Sequence, residues 1–308
     1  MKTISGLANF KFKSGLQKTV VVIGVFDGLH RGHQYLVSKA VSMARRLRRK
    51  SICLTFHPHP RGVPYLISLK HRLKLIESAG IDYTLVAHFT KEFARISAKD
   101  FIDRIIGAML SASYVFVGRN FRFGHNMKGN VSLLKHYGER MGFKVVPVKE
   151  LKVSGLIASS NTIRSLIKMG NLVKAEKLLG RKVSVLGTVI PGLKRGRILG
   201  HPTANINPHH EVLPRSGVYA VKIFLDDKVY SGICNIGRRP TFSKPPDEQT
   251  VEAHIFDFKK DIYGQDLEIQ FILEIRGEKK FPSSAHLSGQ IRKDEKKALK
   301  ILSSQCRQ

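Results

Sequence analysis

Near Lys182 the hydrophobic spacing of the chain changes, and the change calls for two architectures in one polypeptide. Before it, short β-rich runs alternate with longer amphipathic ones. Thr19–Val25 (TVVVIGV) is rich in β-branched residues and reads as a buried central strand. A helix is expected from about Gly32 to Arg48, with Leu36, Ala40, Met43, Ala44 and Leu47 on one face. Further strands are expected at Ser51–Thr55, Tyr83–Val86, Tyr114–Val117 and Lys144–Pro147, and helices at Lys70–Ala79, Lys99–Leu110, Val131–Met141, Asn161–Met169 and Val173–Leu179. Strands separated by helices imply α/β architecture, a parallel sheet covered on both faces. Beyond Lys182 the runs Val183–Ile190, Gly217–Phe224, Lys228–Asn235, Thr250–Phe256 and Leu267–Ile275 are punctuated by turn residues, Asp226-Asp227 reading as a hairpin. With one terminal helix at about Ser284–Leu302, they imply a small antiparallel β-barrel. The domain boundary is placed between residues 180 and 181, after Gly180 stops the last helix.

A length of 308 residues suits two such domains. No apolar run approaches the roughly 20 residues that span a bilayer, so no membrane association and a cytoplasmic location are expected. Cys53, Cys234 and Cys306 lie far apart and suggest neither a disulfide framework nor a cysteine zinc site. The net charge of +30 attracts polyanions without saying which. Its basic residues are spread along the chain, and Arg45–Lys50 reads as a solvated helix end, so nucleic acid is not expected as a specific partner. No feature indicates an oligomeric state.

The string Gly24-Val25-Phe26-Asp27-Gly28-Leu29-His30-Arg31-Gly32-His33 falls where the first strand passes into the first helix. A helix N-terminus offers backbone N–H groups and positive potential to an anion. Gly28 and Gly32 let the backbone approach a phosphate, and His30 and His33 donate hydrogen bonds to phosphoryl oxygens from one side of the first turn. Taken singly, either histidine suits a cap or a surface position; the whole string after a parallel strand favours a nucleotide site. Nucleotidyl transfer needs an α-phosphate held in line with an attacking oxygen and a neutralised leaving group, which two imidazoles on a helix N-terminus supply.

In the second half, Gly192-Leu193-Lys194-Arg195-Gly196-Arg197-Ile198-Leu199-Gly200-His201-Pro202-Thr203-Ala204-Asn205 is a Gly-rich basic loop ending in two neutral oxygen donors. Such a loop can wrap a polyphosphate or form an ordinary basic hairpin. On an extended chain Thr203 and Asn205 share one face, where Mg²⁺ bridging ATP and an acceptor would be held.

These strings resemble the G-x-F-D-G-x-H-x-G-H and G-x-x-x-G-R-x-L-G-x-P-T-A-N motifs of the bacterial bifunctional riboflavin kinase/FMN adenylyltransferases. The resemblance continues in Phe56-His57-Pro58-His59-Pro60, in Val117-Gly118-Arg119-Asn120-Phe121-Arg122-Phe123-Gly124 and in Ser159-Ser160-Asn161-Thr162-Ile163-Arg164. It extends through Ser216–Tyr219, Cys234–Phe242, Val251-Glu252-Ala253-His254, Asp261–Gly264 and the region Arg276 to Asp294. It implies a Rossmann-like nucleotidyltransferase domain followed by a β-barrel riboflavin kinase domain. The substrates implied are riboflavin, FMN and ATP with Mg²⁺. Gly24, Phe26, Asp27, Gly28, Gly32, Ser159 and Ser160 would bind one nucleotide; Gly192, Arg195, Gly196, Arg197 and Gly200 would bind the other.

The same resemblance makes His30, His33 and Arg164 catalytic in adenylyl transfer and Glu252 the general base that takes the riboflavin 5′-hydroxyl proton. It assigns the flavin to His57, Pro58, Asn120, Phe121, Phe123 and Arg276. For His57 and His59 a rigid loop after a strand is an equal alternative to direct contact, and Pro58 between them disfavours a metal pair. Two departures stand out: Asn161 replaces the family's usual Thr, and Arg61–Lys70 is short. Another adenylyltransferase of the same superfamily would explain the first string but leave P-T-A-N without a role.

Overall fold

The computed structural model describes residues 1–7, 18–63, 65–192, 200–209, 211–238 and 249–304. The chain divides into two compact units, Met1–Tyr65 with Leu69–Ser160, and Leu66–Ser68 with Asn161–Gln308.

The first unit is built on a six-stranded, all-parallel sheet. Its strands are β1 (Lys2–Ser5), β2 (Thr19–Ile23), β3 (Ser51–His57), β4 (Tyr83–His88), β5 (Ala112–Gly118) and β6 (Lys144–Val148), in spatial order β1-β4-β3-β2-β5-β6. All five residues of β2 are buried, as its run of β-branched side chains requires. Between them lie α1 (Arg31–Arg46), α2 (Leu69–Ser78), α3 (Phe101–Met109) and α4 (Val131–Met141). From β2 the chain winds outward through β3 and β4 and then returns to place β5 on the other flank of β2. The order of connection therefore reverses beside β2, the position where open α/β sheets bind ligands beyond their strand ends.

Helix α1 buries Leu36, Val37, Ala40, Val41 and Ala44; Met43 and Leu47 are only partly covered. Its exposed basic end carries Arg45 and Arg46 in the last turn, where cations suit the helix dipole. The α-helix expected at Lys99–Leu110 is π-helical over Phe101–Met109.

In the second unit, α5 (Ser160–Lys168, entered from the first unit) and α6 (Leu172–Leu179) lead into a closed antiparallel barrel. Its strands are β7 (Ser184–Ile190), β8 (Ala204–Asn207), β9 (Gly217–Leu225), β10 (Lys228–Arg238), β11 (Gln249–Ile255) and β12 (Asp266–Gly277). They run in the order β7-β8-β11-β10-β9-β12 and return to β7 through Ser184↔Gln270. Asp226 and Asp227 both take positive φ (45° and 59°) in the β9–β10 turn, as a two-residue hairpin demands. Helix α7 (Ser284–Ser304) packs Ala298 and Leu302 against Val218, Ala220, Ile233, Ile272 and Ile275.

Candidate functional sites

At the end of β2 the chain turns sharply. Phe26 adopts φ 55° and Gly28 φ 76°, and Asp27–Leu29 form one 3-10 turn before α1 begins. Phe26 is fully buried, so it contributes to the turn through its backbone while its ring packs edge-on against His33, centroids 5.4 Å apart. Asp27 is buried too, and its carbonyl accepts a hydrogen bond from the Oγ of Ser160, the last residue of the first unit, at 2.9 Å. Gly24 donates its N–H to the Leu54 carbonyl (3.1 Å).

His30 is the N-cap of α1: its Nδ1 accepts the His33 N–H at 3.3 Å. That acceptor role places the proton of a neutral ring on Nε2, making Nε2 a donor. Capping and phosphate binding are therefore compatible in one residue. The His30 and His33 rings stack with centroids 3.6 Å apart and 21° between planes. A β-carbon at Gly32 would meet the His30 ring at 3.2 Å and the Ala158 carbonyl at 3.5 Å, so a side chain there would crowd the pair. Burial, followed by the nearby His30 and Arg72 charges, holds the His33 pKa well below the usual histidine value. Its Nδ1 is shielded and has no hydrogen-bond partner. His33 is thus neutral at pH 7, with a shielded nitrogen that makes no hydrogen bond.

Arg72 was not legible as a site residue. It sits on α2 among residues expected to be merely helical, yet it is fully buried. Its guanidinium donates to the carbonyls of Val25 (2.6 Å) and Phe56 (3.1 Å) and lies 4.8 Å from the centre of the Tyr65 ring. Isolated burial of such a charge is costly, so these partners and the ring are what make it tolerable. Standing where β2 and β3 end, it adds positive potential to the same place, and after desolvation it is the second cause of the lowered pKa of His57. His57 ends β3 and stacks on Tyr65 at 5.6 Å, with exposed Pro58 in the following bend.

Ser159 immediately precedes α5, Ser160 opens it, and Arg164 lies one turn further on. Arg164 donates to Asn161 Oδ1 at 2.7 Å, so the residue that departs from the family pattern orients the arginine of the same motif. Asn120 and Phe121 line a cleft of about 410 Å³ with Arg119, Arg122 and Asn130. Phe123 stands behind Phe121, stacked at 5.4 Å, and is itself buried against Phe101. Only the first of the two rings reaches the cleft. Asn120 donates to Glu150 at 3.1 Å.

In the barrel, Asn205 on β8 pairs with Glu252 on β11, and Glu252 pairs on its other side with Asn235 on β10. Directly paired residues project from one face, so a carboxylate is set between two carboxamides across three strands. The charge of Glu252 adds to burial in raising the pKa of neighbouring Cys234. A β-carbon at Gly192 would overlap the Asn205 carboxamide, which leaves glycine as the residue that fits. Thr203 lies in a cleft of about 440 Å³, with Pro202 and Ala204 beside it, Val189, Ala253 and Ile262 as apolar wall, and Lys259 and Lys260 as cations. Gly200 takes φ 80° with open space around it. Arg195, Gly196 and Arg197 lie outside the described residues. Arg276 is engaged by Asp294 of α7, Nε and an Nη each 2.9 Å from Oδ2. Asn235 lies within the Cys234–Phe242 motif, and only the strand register shows it beside Glu252.

Two constellations thus stand in one chain: a histidine pair at a helix N-terminus on a parallel sheet, and an acid–amide row on a barrel. The fold and sites define a bifunctional phosphotransferase and nucleotidyltransferase. Family models agree, since residues 12–162 match FAD synthetase and residues 179–302 match riboflavin kinase. Bifunctional riboflavin kinase/FMN adenylyltransferases from Buchnera aphidicola subsp. Acyrthosiphon pisum and from Bacillus subtilis are 37% and 35% identical to it, covering 96% and 93% of both chains respectively. That of Escherichia coli K12 is 33% identical over 96% of each chain. A crystal structure described as a macrolide-efflux protein from Streptococcus pneumoniae superposes with TM-score 0.83 at 30% identity, covering 96% of this chain and 98% of that one. Among the described residues no helix is long and apolar enough to cross a membrane. The chain belongs to the bifunctional riboflavin kinase/FMN adenylyltransferase family. It uses ATP both to phosphorylate riboflavin and to adenylylate the resulting FMN.

Proposed function

We propose that the two chemical steps are divided between the two constellations, with the working boundary at residues 180 and 181. The observation that carries the division of steps, as distinct from the boundary, is that His30 and His33 fall in one compact unit and Asn205, Asn235 and Glu252 in the other.

In the first step Glu252 accepts the proton of the riboflavin 5′-hydroxyl. The oxygen then forms a bond to the γ-phosphorus as the bond to the β–γ bridging oxygen breaks and ADP leaves. Asn205 and Asn235, paired on either side of Glu252, orient the carboxylate and the hydroxyl. Thr203 and Asn205 supply hard neutral oxygens, and the side-chain-free approach of Gly192 leaves the Asn205 carboxamide its place, a donor set that fits magnesium with a polyphosphate. Magnesium bound there would neutralise phosphate charge. The cleft beside Thr203 offers an apolar wall to a base and Lys259 and Lys260 to phosphates.

In the second step a phosphate oxygen of FMN attacks the ATP α-phosphorus and pyrophosphate leaves. His30 Nε2 and the His33 ring donate to phosphoryl oxygens and Arg72 adds fixed positive potential; Arg164, braced by Asn161, is assigned to the leaving phosphates by the family resemblance. Phe121 presents a face to the flavin in the cleft it lines. His57, Pro58 and Asn120 are assigned to flavin contact on the same reading, and Arg276, held by Asp294 on the barrel, to the flavin of the first step. A reducing cytoplasm suits the free, buried Cys53 and Cys234.

Separating the flavin products tests the division. His33→Ala should accumulate FMN from riboflavin while FAD formation falls about 10²-fold or more. Glu252→Ala should lose FMN formation but adenylylate added FMN at the unmodified rate. Loss of the same step in both variants would contradict the assignment.

A further inference from the structure

Among the described residues, one group of side chains converges as metal ligands do: His201, His254 and Glu295, with one ligand atom from each within 4.8 Å of the others. His201 precedes the P-T-A-N segment, His254 follows Glu252 by two residues on β11, and Glu295 lies on α7. Three elements separated in sequence therefore present their donors to one point.

The protonation pattern there is informative. His254 Nδ1 lies 2.7 Å from the Pro202 carbonyl, which can only accept, so Nδ1 carries the proton. Its other nitrogen, Nε2, faces Glu295 Oε1 at 3.2 Å and, in a neutral ring, has only a lone pair to offer. His201 Nδ1 approaches the same oxygen to 2.6 Å. Neither approach has the alignment of a hydrogen bond, and Oε1 is shielded from solvent without such a partner. Two imidazole nitrogens are turned on one carboxylate oxygen, and one ring is fixed by a backbone carbonyl behind it, as a metal-binding histidine donates its other N–H to a carbonyl.

We propose that His201, His254 and Glu295 bind a zinc-class divalent cation, at a site distinct from the magnesium ligands assigned to Thr203 and Asn205. Two imidazoles and one carboxylate select a borderline ion over Mg²⁺ or Ca²⁺, which take oxygen ligands. Zinc bonds of about 2.0–2.2 Å put tetrahedral ligand atoms roughly 3.3–3.5 Å apart and leave a fourth position for water; the 3.2 Å His254 approach nearly matches this, whereas the 2.6 Å His201 approach must widen to admit the ion. Binding ties the segment before Thr203 to β11 and α7. The cation acts as a clamp on three elements bordering the kinase site.

The test uses the full-length protein, freed of metal by chelation, titrated with Zn²⁺ in calorimetry and with Co²⁺ in visible absorption. The expected result is one tight Zn²⁺ equivalent that millimolar Mg²⁺ does not displace, and an intense tetrahedral Co²⁺ band. His201→Asn and Glu295→Gln should each weaken Zn²⁺ binding about ten-fold or more and abolish the band. Glu295→Gln keeps side-chain shape, and retained riboflavin phosphorylation by metal-stripped protein supplemented with Mg²⁺ verifies its fold. Unchanged affinity in folded variants, competition by equimolar Mg²⁺, or only the weak multiple binding expected of scattered histidines would overturn the proposal.

Discussion

At the scale of single residues the proposed adenylyl site turns on one neutral imidazole. His33 is kept uncharged by burial first, and then by its neighbours His30 and Arg72. In the unfolded chain the same ring takes up a proton below about pH 6.5. The unfolded state then binds more protons than the folded one, so stability contributed at this position declines as pH falls through that range. The thermal midpoint of the unmodified protein, relative to His33→Gln, should therefore drop between pH 7.5 and 5.5; a constant difference would show that His33 does not titrate in this way. Bound triphosphate works in the opposite direction, because an anion against the ring favours its protonated form.

The glycine that meets Asn205 gives a second residue-scale expectation. Gly192→Ala introduces a β-carbon into the space of the carboxamide. FMN formation should fall at least several-fold, while adenylylation of supplied FMN stays unchanged. Comparing the two product rates in one preparation checks it.

At the scale of elements, β12 and α7 are joined by the Arg276–Asp294 pair, with Asp294 side chain only 3% exposed and Gln290 donating to its other oxygen at 2.8 Å. Removing one partner of a buried pair costs about 3–5 kcal/mol, because the remaining charge is stranded. Arg276→Ala should lose about that much in urea unfolding of the barrel, with amide exchange rising first in Ser284–Ser304. An effect below 1 kcal/mol would mean that water reaches Asp294.

The long elements were legible because their apolar periods are strong: β2, the helix Val131–Met141 and the principal barrel strands fall where the pattern puts them. Strand β1 was not, since four mostly exposed residues at a sheet edge carry almost no periodic signal. Nor was β8 among the counted strands; four residues in a segment chosen for its donors leave little room for alternation. The motif residues His30, His33, Thr203, Asn205 and Glu252 could be read from short strings. Arg72 and Asn235 could not, because their importance arises from burial and from pairing across strands distant in sequence. The same limit hid the convergence of His201, His254 and Glu295.

At the scale of the whole molecule, the two units contain separate sets of chemical groups in one chain whose net charge is +30. Every substrate of the second step is anionic, so a basic surface raises the encounter rate without choosing between sites. The product of the barrel is the substrate of the parallel-sheet unit, which gives fusion a kinetic rationale even when FMN leaves through solvent. If the sites are chemically independent, a defect in one unit can be supplied by another molecule. The most direct measurement is therefore a mixture of His33→Ala and Glu252→Ala proteins incubated with riboflavin, ATP and Mg²⁺, with flavins separated over time. The division of labour predicts that neither variant alone produces FAD and that the mixture does, with FMN as a transient. No FAD from the mixture, although each protein is folded and retains its own remaining step, would contradict independent sites linked by diffusing FMN.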